Sequence, residues 1–438
     1  MTHGGPLVRA GRVLGGRFRP PGDKSITHRA MLFGLLATGE TRLRGVNRGE
    51  DCGHTLAVTA ALGGGVRQDG DEIVVRGTAR EPASDGLRLE CGNSGTTMRL
   101  TTGIVAALRG ECVLDGDASL RRRPMARIAE PLGRMGAGVV CAEGGRPPLR
   151  VRGAALRGID YEVPVASAQV ATCLLLAGLF ADGATRVSLP GPARDHTERM
   201  LPAFGVPLEV TPRTDGGRAV RVTPTVPSGA VVTVPGDFSA AAFLLAAAAA
   251  TPGAAVTAAG VSLNPTRTGL LDVLAEMGAG VEIRDRSEAA GEPVGDVTVR
   301  GPGELLPFDV PAQWVPRLVD EVPAWVIAAS AARGVSRVVG AAELRGKESD
   351  RIASLVRNLG RVGVTARELP DGLEVEGGVP RGGRIEADLD HRVVMAFAAL
   401  ATRALGPVSF DDVSAVATSY PGFWSDLAAL GASVESAA

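Results

Sequence analysis

The chain reads as an α/β protein of two similar domains, each assembled from three copies of one unit. Three observations predict this. First, an apolar helix ends in a Gly-marked turn six times, at Gly39, Gly110, Gly183, Gly253, Gly334 and Gly406. These glycines stand roughly 70 to 80 residues apart, too far for the common solenoid repeats. Second, each is followed by a short alternating strand (TRLRGV, ECVLDG, TRVSLP, AVTAAG, SRVVG, PVSFDD). A second helix then ends at another glycine signature (AALGGGV, LGRMGAGV, LPAFGVPL, LAEMGAGV, LGRVGV, LAALGASV). Third, a Pro-Gly-Asp junction occurs twice, at Pro21-Gly22-Asp23 and Pro235-Gly236-Asp237, each opening an apolar helix. These junctions divide the chain into residues 21–234 and residues 1–20 plus 235–438. A ligand site is expected between two such domains.

Composition narrows the class. The 438 residues are 45% hydrophobic with a net charge of −1. No overall field favours nucleic acid or a membrane surface. The most apolar runs, residues 170–181 and 238–250, span about 12 or 13 residues, too few to cross a bilayer. The opening MTHGGPLVRAGR lacks the apolar core of a signal peptide. Cys52, Cys91, Cys112, Cys141 and Cys173 show no paired CxxC spacing. They are expected to be reduced core residues of a cytoplasmic protein. No HExxH or Walker loop occurs either, so neither a metal nor a nucleoside triphosphate is expected.

Of the 47 Lys and Arg residues only two are lysines, Lys24 and Lys347. Arginine serves everywhere else. Lysine is the compact ammonium whose proton can be tuned, so these two positions are the first candidates for chemistry. Lys24, Ser25 and Arg29 open the helix expected over residues 26–37. A helix N-terminus attracts anions, and these side chains make a phosphate or carboxylate site there. The alternative is a capped helix with solvated charges.

Further polar clusters follow in order. CGNSGTTMR, Cys91 to Arg99, places Asn93 and Gly95 at a helix start, as an anion loop or as a cap. In DASLRRRPM, Pro124 fixes the direction of Arg123. Ser167 and Gln169 head an apolar helix, capping it or holding a ligand. Arg194, Asp195 and His196 precede another helix. In the second half, Asp320 and Glu321 sit in an apolar segment, where a carboxylate needs a partner. RGKESDR supplies Lys347, Glu348 and Arg351, with Lys347 and Arg351 expected on one helical face. Asp390, His391 and Arg392 precede a buried helix. Cations at helix starts, with a few carboxylates among them, describe the lining of a site for a small, highly anionic substrate.

In this order GDKSITHRA, CGNSGTTMRL, RRRPM, SAQV, RDHTERM, LVDE, GKESDR and DHR resemble the 5-enolpyruvylshikimate-3-phosphate (EPSP) synthase family across essentially the whole chain. The resemblance implies two inverse, barrel-like α/β domains, each of three βαβαββ units. It implies transfer of an enolpyruvyl group from phosphoenolpyruvate to the 5-hydroxyl of shikimate 3-phosphate, with phosphate released and no cofactor. Matched by motif, Lys24, Ser25, Arg29, Ser167, Ala168, Gln169, Arg194, Asp320 and Lys347 would hold shikimate 3-phosphate. Lys24, Asn93, Gly95, Arg123, Gln169, Arg351 and Arg392 would hold phosphoenolpyruvate. Asp320 would be the base, with Lys347, Glu348 and Lys24 sharing the catalytic role. The two substrates carry about six negative charges. Seven cations answer them: Lys24, Arg29, Arg123, Arg194, Lys347, Arg351 and Arg392. Mutual repulsion of these cations predicts an open unliganded form that closes on binding, and a monomer is expected.

Some positions depart from the commoner family pattern. Ala168 replaces a serine, Glu343 an asparagine, and Thr418 a C-terminal lysine, so Arg351 and Arg392 must do more. Gly95 implies sensitivity to glyphosate. One rival is the sister transferase acting on UDP-N-acetylglucosamine, but the loop DGDASLRRRPM lacks its reactive cysteine. The other is a non-catalytic anion-binding protein on the same fold, which would leave the two retained lysines and Asp320 without a purpose.

Overall fold

A computed structural model describes residues 5–79, 81–83 and 85–435. They form two compact units. One is Gly22–Val234 with Glu288–Glu292, and the other runs to Pro21 and resumes over Pro235–Ser287 and from Pro293. Glu288–Glu292 group with the first unit through Glu292, whose buried carboxylate meets His196 Nδ1 at 2.7 Å.

Among the described residues six four-stranded sheets, three in each unit, express the repeat. In the second repeat the order is Arg88–Glu90, Glu111–Asp115, Arg146–Arg152, Gly138–Ala142. The first pair is parallel and the next two are antiparallel. The same pattern recurs in the first and third repeats. In the sixth sheet the strand Leu7–Arg9 fills the third place. Val8 pairs with Val408 on one side and Val434 on the other, both antiparallel.

Each repeat contributes one helix that is apolar on nearly all sides, and such a helix must be buried. In the first unit these are Lys24–Leu36, Gly95–Val105 and Ala168–Gly178. In the other they are Phe238–Ala249, Val322–Ala329 and His391–Leu400. Within each unit these helices pack on one another, inside a single apolar core. The second helices, such as Ala126–Met135 and Arg351–Arg361, bury one stripe only.

The glycine signatures have distinct causes. The second set, Gly63, Gly136, Gly205, Gly278, Gly363 and Gly431, is left-handed in all six copies, with φ between 73° and 131°. Such positions end helices and exclude most side chains. In the first set, Gly39, Gly110, Gly183, Gly253 and Gly334 also have positive φ. They sit in a turn beyond the helix rather than at its cap; Lys24–Leu36, for instance, is capped by Ala37. Gly406 is the exception. It needs to be glycine because a Cβ there would stand 2.7 Å from the Arg381 carbonyl oxygen.

Close approach also governs the buried helices. A Cβ at Gly103 would lie 2.1 Å from the Cys173 carbonyl oxygen on the neighbouring helix. Backbone cannot yield there as a flexible side chain would. Gly103→Ala is expected to destabilise the first unit by about 1–3 kcal/mol, read as a lower denaturation midpoint by circular dichroism. An unchanged midpoint would show that the two helices separate freely.

Four cysteines are buried as expected, but Cys141 is only half-buried on the strand Gly138–Ala142. Burial pushes the Cys112 and Cys173 thiols up to about 12 and Cys91 higher still, so these thiols stay protonated and unreactive. Among the described residues no helix is long and apolar enough to cross a membrane.

Candidate active site

The polar residues singled out in the sequence collect at or just before the N-terminal ends of helices, buried and half-buried alike. In the first unit Asp23 caps Lys24–Leu36 by accepting from the Ile26 N–H. That cap places Lys24 and Ser25 half-buried at the helix mouth. Lys24 Nζ pairs with Asp51 Oδ2 at 3.0 Å. Asp51 comes from the next helix, Glu50–Ala61, and the sequence reading missed it.

One turn deeper, Arg29 is 3% exposed. It donates to Thr197 Oγ1 at 2.8 Å, Thr172 Oγ1 at 3.0 Å and the Ser25 carbonyl at 3.1 Å. These partners are neutral. Burial lowers the Arg29 pKa to about 10, Glu198 and Asp23 oppose the drop, and nearby Arg194 adds to it. The guanidinium remains charged at neutral pH, so a buried cation here is set up for an anion. His28 on the same helix is held well below its ordinary pKa by burial, then by Lys24 and Arg29. It stays neutral and bonds Thr55 Oγ1 at 2.6 Å.

The first turns of the helices Gly95–Val105 and Ala168–Gly178 meet. Ser94 caps the first of these helices through Thr97 N. Ser167 caps the second through Val170 N at 3.4 Å. Gln169 donates to Thr96 Oγ1 at 2.9 Å and accepts from Arg99 Nη1 at 2.7 Å. Arg99 also donates to the Pro124 carbonyl at 3.2 Å. It therefore ties three segments together, although the sequence reading gave it no role. The Gly95–Arg99 spacing, one helical turn, was the available signal. Arg123, extended before Pro124, donates to Asn93 Oδ1, while Asn93 Nδ2 donates to Asp117 at 3.0 Å. A Cβ at Gly95 would lie 2.8 Å from Arg99 Nη1 and 3.4 Å from Arg123 Nη1. Arg194 is half-buried, and its carbonyl accepts from Arg218 at 2.8 Å.

The other unit holds a second cluster. Asp320 lies in a tight turn, Val319–Glu321, just ahead of Val322–Ala329. Its Oδ1 is 3.4 Å from Lys347 Nζ and 3.4 Å from Arg351 Nη1. Arg392 Nη1 donates to the Asp320 carbonyl at 2.7 Å. Lys347 also pairs with Glu343. Contrary to the expected shared helical face, Lys347 is extended and follows the turn Ala342–Gly346, while the helix begins at Arg351. The reason is local: Asp350 caps that helix by accepting from Ala353 N.

Arg351 is 1% exposed and faces three carboxylates. Nε meets Asp390 Oδ2 at 2.8 Å, Nη2 meets Glu348 Oε2 at 2.5 Å, and Nη1 meets Asp320. Burial would lower its pKa, but Asp390, Glu348 and Asp320 raise it above its ordinary value. Asp390, also fully buried, accepts from Ser349 Oγ at 3.0 Å and from Arg392 N at 2.9 Å. One carboxylate thus holds the Arg351 guanidinium and caps the helix His391–Leu400. Thr418 Oγ1 donates back to Ala415 O at 2.7 Å, inside its own turn.

The two clusters therefore contain every residue predicted for the site. Lys24, Ser25, Arg29, Asn93, Gly95, Arg123, Ser167, Ala168, Gln169 and Arg194 lie in the first unit. Asp320, Lys347, Glu348, Arg351 and Arg392 lie in the second. Chemically, the first offers buried and half-buried cations with helix N-termini, and the second offers a carboxylate between two cations.

Comparison with known proteins identifies the family. The model of the family described as EPSP synthase (3-phosphoshikimate 1-carboxyvinyltransferase) matches residues 8–427. The 3-phosphoshikimate 1-carboxyvinyltransferase of Anaeromyxobacter sp. (strain K) is 49% identical over 427 residues, covering 96% of this chain and 95% of that protein. The protein of that name from Synechococcus sp. (strain WH7803) is 48% identical, with 97% of each chain covered. An EPSP synthase structure from Acinetobacter baumannii superposes with a TM-score of 0.85 at 40% identity, over 98% of this chain and 99% of that one.

Proposed function

The chain belongs to the EPSP synthase family, and from that premise we propose how its two clusters divide the work of 3-phosphoshikimate 1-carboxyvinyl transfer. The reaction moves the enolpyruvyl group of phosphoenolpyruvate to the 5-hydroxyl of shikimate 3-phosphate and releases phosphate.

Arg29, with Lys24, Ser25, Ser167, Gln169 and Arg194, receives shikimate 3-phosphate. A buried guanidinium with neutral partners gains most from a phosphate, which it can grip with two N–H groups. Lys24, Asn93, Gly95, Arg123 and Gln169, together with Arg351 and Arg392, receive phosphoenolpyruvate. Asp320 takes the proton of the 5-hydroxyl as its oxygen attacks C2 of phosphoenolpyruvate. An acid, Lys347 or Glu348, gives a proton to the C3 methylene, and a tetrahedral ketal forms. Elimination reverses the traffic: a proton leaves the new methyl group, the C2–O bond to phosphate breaks, and the double bond returns. Carboxylate and acid must stand together in different protonation states. The observation that carries the assignment is Asp320 Oδ1 at 3.4 Å from both Lys347 Nζ and Arg351 Nη1, which puts a carboxylate beside a lysine able to act as the acid. A monomer suffices for these roles, because each named residue belongs to the one chain.

The test is phosphate release by the purified protein given both substrates. Lys24→Ala is expected to lower kcat/KM by at least about a hundredfold, since a charge-assisted partner of each substrate is lost. Turnover with UDP-N-acetylglucosamine in place of shikimate 3-phosphate would overturn the substrate assignment. Wild-type turnover retained in Lys24→Ala would overturn the role of Lys24.

A further inference from the structure

Glu321 adjoins Asp320 in the same tight turn, yet its side chain points into a different environment. It is 1% exposed, and its Oε1 accepts from the Ser239 hydroxyl. Ser239 in turn accepts from Arg267 Nη2 at 2.6 Å. Arginine only donates, so the single proton of Ser239 is directed to Glu321. Arg267 Nη2 also meets Asp237 Oδ1 at 3.1 Å, and Asp237 caps Phe238–Ala249. Asp237, Ser239, Arg267 and Glu321 are 7%, 3%, 2% and 1% exposed. Burying two carboxylates around one guanidinium is a costly way to hold a core, because apolar residues of like volume would serve as well or better. The network does something apolar residues would not. It fixes direction, since each hydrogen bond in it runs one way.

What it fixes is the turn that carries Asp320. Glu321 anchors that turn by its side chain to the N-terminus of Phe238–Ala249. Arg392 grips the Asp320 carbonyl from another helix. Glu321 N closes the turn on the Leu318 carbonyl at 2.8 Å. We propose that Glu321, held by Ser239 and Arg267, is a positioning residue that aims the Asp320 carboxylate at the hydroxyl it deprotonates. This rests on the reading of Asp320 as the base. A base works only within hydrogen-bond reach of its proton, and a misplacement of about 1 Å costs about a hundredfold in rate.

Ser239→Ala removes the link and leaves the Arg267–Asp237 pair in place. It is expected to lower kcat by about tenfold to a hundredfold, with both KM values within about twofold of wild type. The solvent isotope effect on kcat should rise as proton transfer becomes rate-limiting. Ser239→Thr, which restores the hydroxyl, should return kcat to within about threefold. A merely structural role would lower the thermal midpoint and leave kcat per folded molecule and the isotope effect unmoved. That result would overturn the proposal. Should Ser239→Ala not fold, Glu321→Leu keeps much of the volume and removes the acceptor of the Ser239 hydroxyl. The same kcat loss there supports the proposal, and an unchanged kcat overturns it. Asp320→Asn, measured alongside, separates the two readings. Full activity in Asp320→Asn refutes the base, whereas its inactivity beside a fully active Ser239→Ala refutes the positioning role alone.

Discussion

Asp320→Asn is expected to lower kcat by about a thousandfold while both Michaelis constants stay within about threefold of wild type. The substitution keeps the size of the side chain and its place between Lys347 and Arg351. It removes the capacity to take a proton. In the proposed assignment the anions are bound mainly by Arg29, Arg123 and Arg392, so KM should change little. Steady-state phosphate release with each substrate varied in turn reads both parameters. A loss under about tenfold would move the base to another group, and Glu348, 2.5 Å from Arg351, would be the next candidate.

Arg351→Ala should be the most destabilising change in the second cluster. It leaves Asp390 buried and Glu348 and Asp320 close by, all deprived of the guanidinium that joins them. Removing one partner of a buried ion pair costs about 3–5 kcal/mol, because the other charge stays buried without compensation. Lysine would not substitute, since one ammonium cannot span three carboxylates as a planar fork does. The chain offers a convenient reporter. Its three tryptophans, Trp314, Trp325 and Trp424, all lie in the unit that contains Arg351. Denaturant unfolding followed by tryptophan fluorescence therefore reports that unit, and its midpoint should fall markedly. A midpoint within error of wild type would mean that the carboxylates find other cations or water.

The repeat was legible in the sequence because backbone geometry forces glycine at recurrent places. Gly63, Gly136 and their four counterparts need a left-handed φ, which few other residues adopt. The two lysines were legible for a different reason. In a chain that otherwise uses arginine they stand out by residue type alone, and both are paired with carboxylates. What stayed hidden were partners far apart in the chain. Arg99 meets Gln169 across 70 residues, and Ser239 meets Glu321 across 82. Periodicity says which face of an element is buried. It does not say which polar groups on different elements meet. The misplaced helix start at Lys347 has another origin, since Asp350 outcompetes the upstream residues as a cap.

The strand Leu7–Arg9 carries a consequence for biosynthesis. It occupies an inner place in a sheet whose neighbouring strands are Val408–Phe410 and Ser433–Glu435. This strand is made about 400 residues before the strands it pairs with, and its hydrogen bonds wait for them. Gly22–Val234 can reach its final arrangement of sheets and helices while translation continues, at about 5–20 residues per second, apart from the short stretch Glu288–Glu292 that joins it later. The unit bearing Asp320 can be completed only once Ser433–Glu435 has been made, held open until then by the strand Leu7–Arg9.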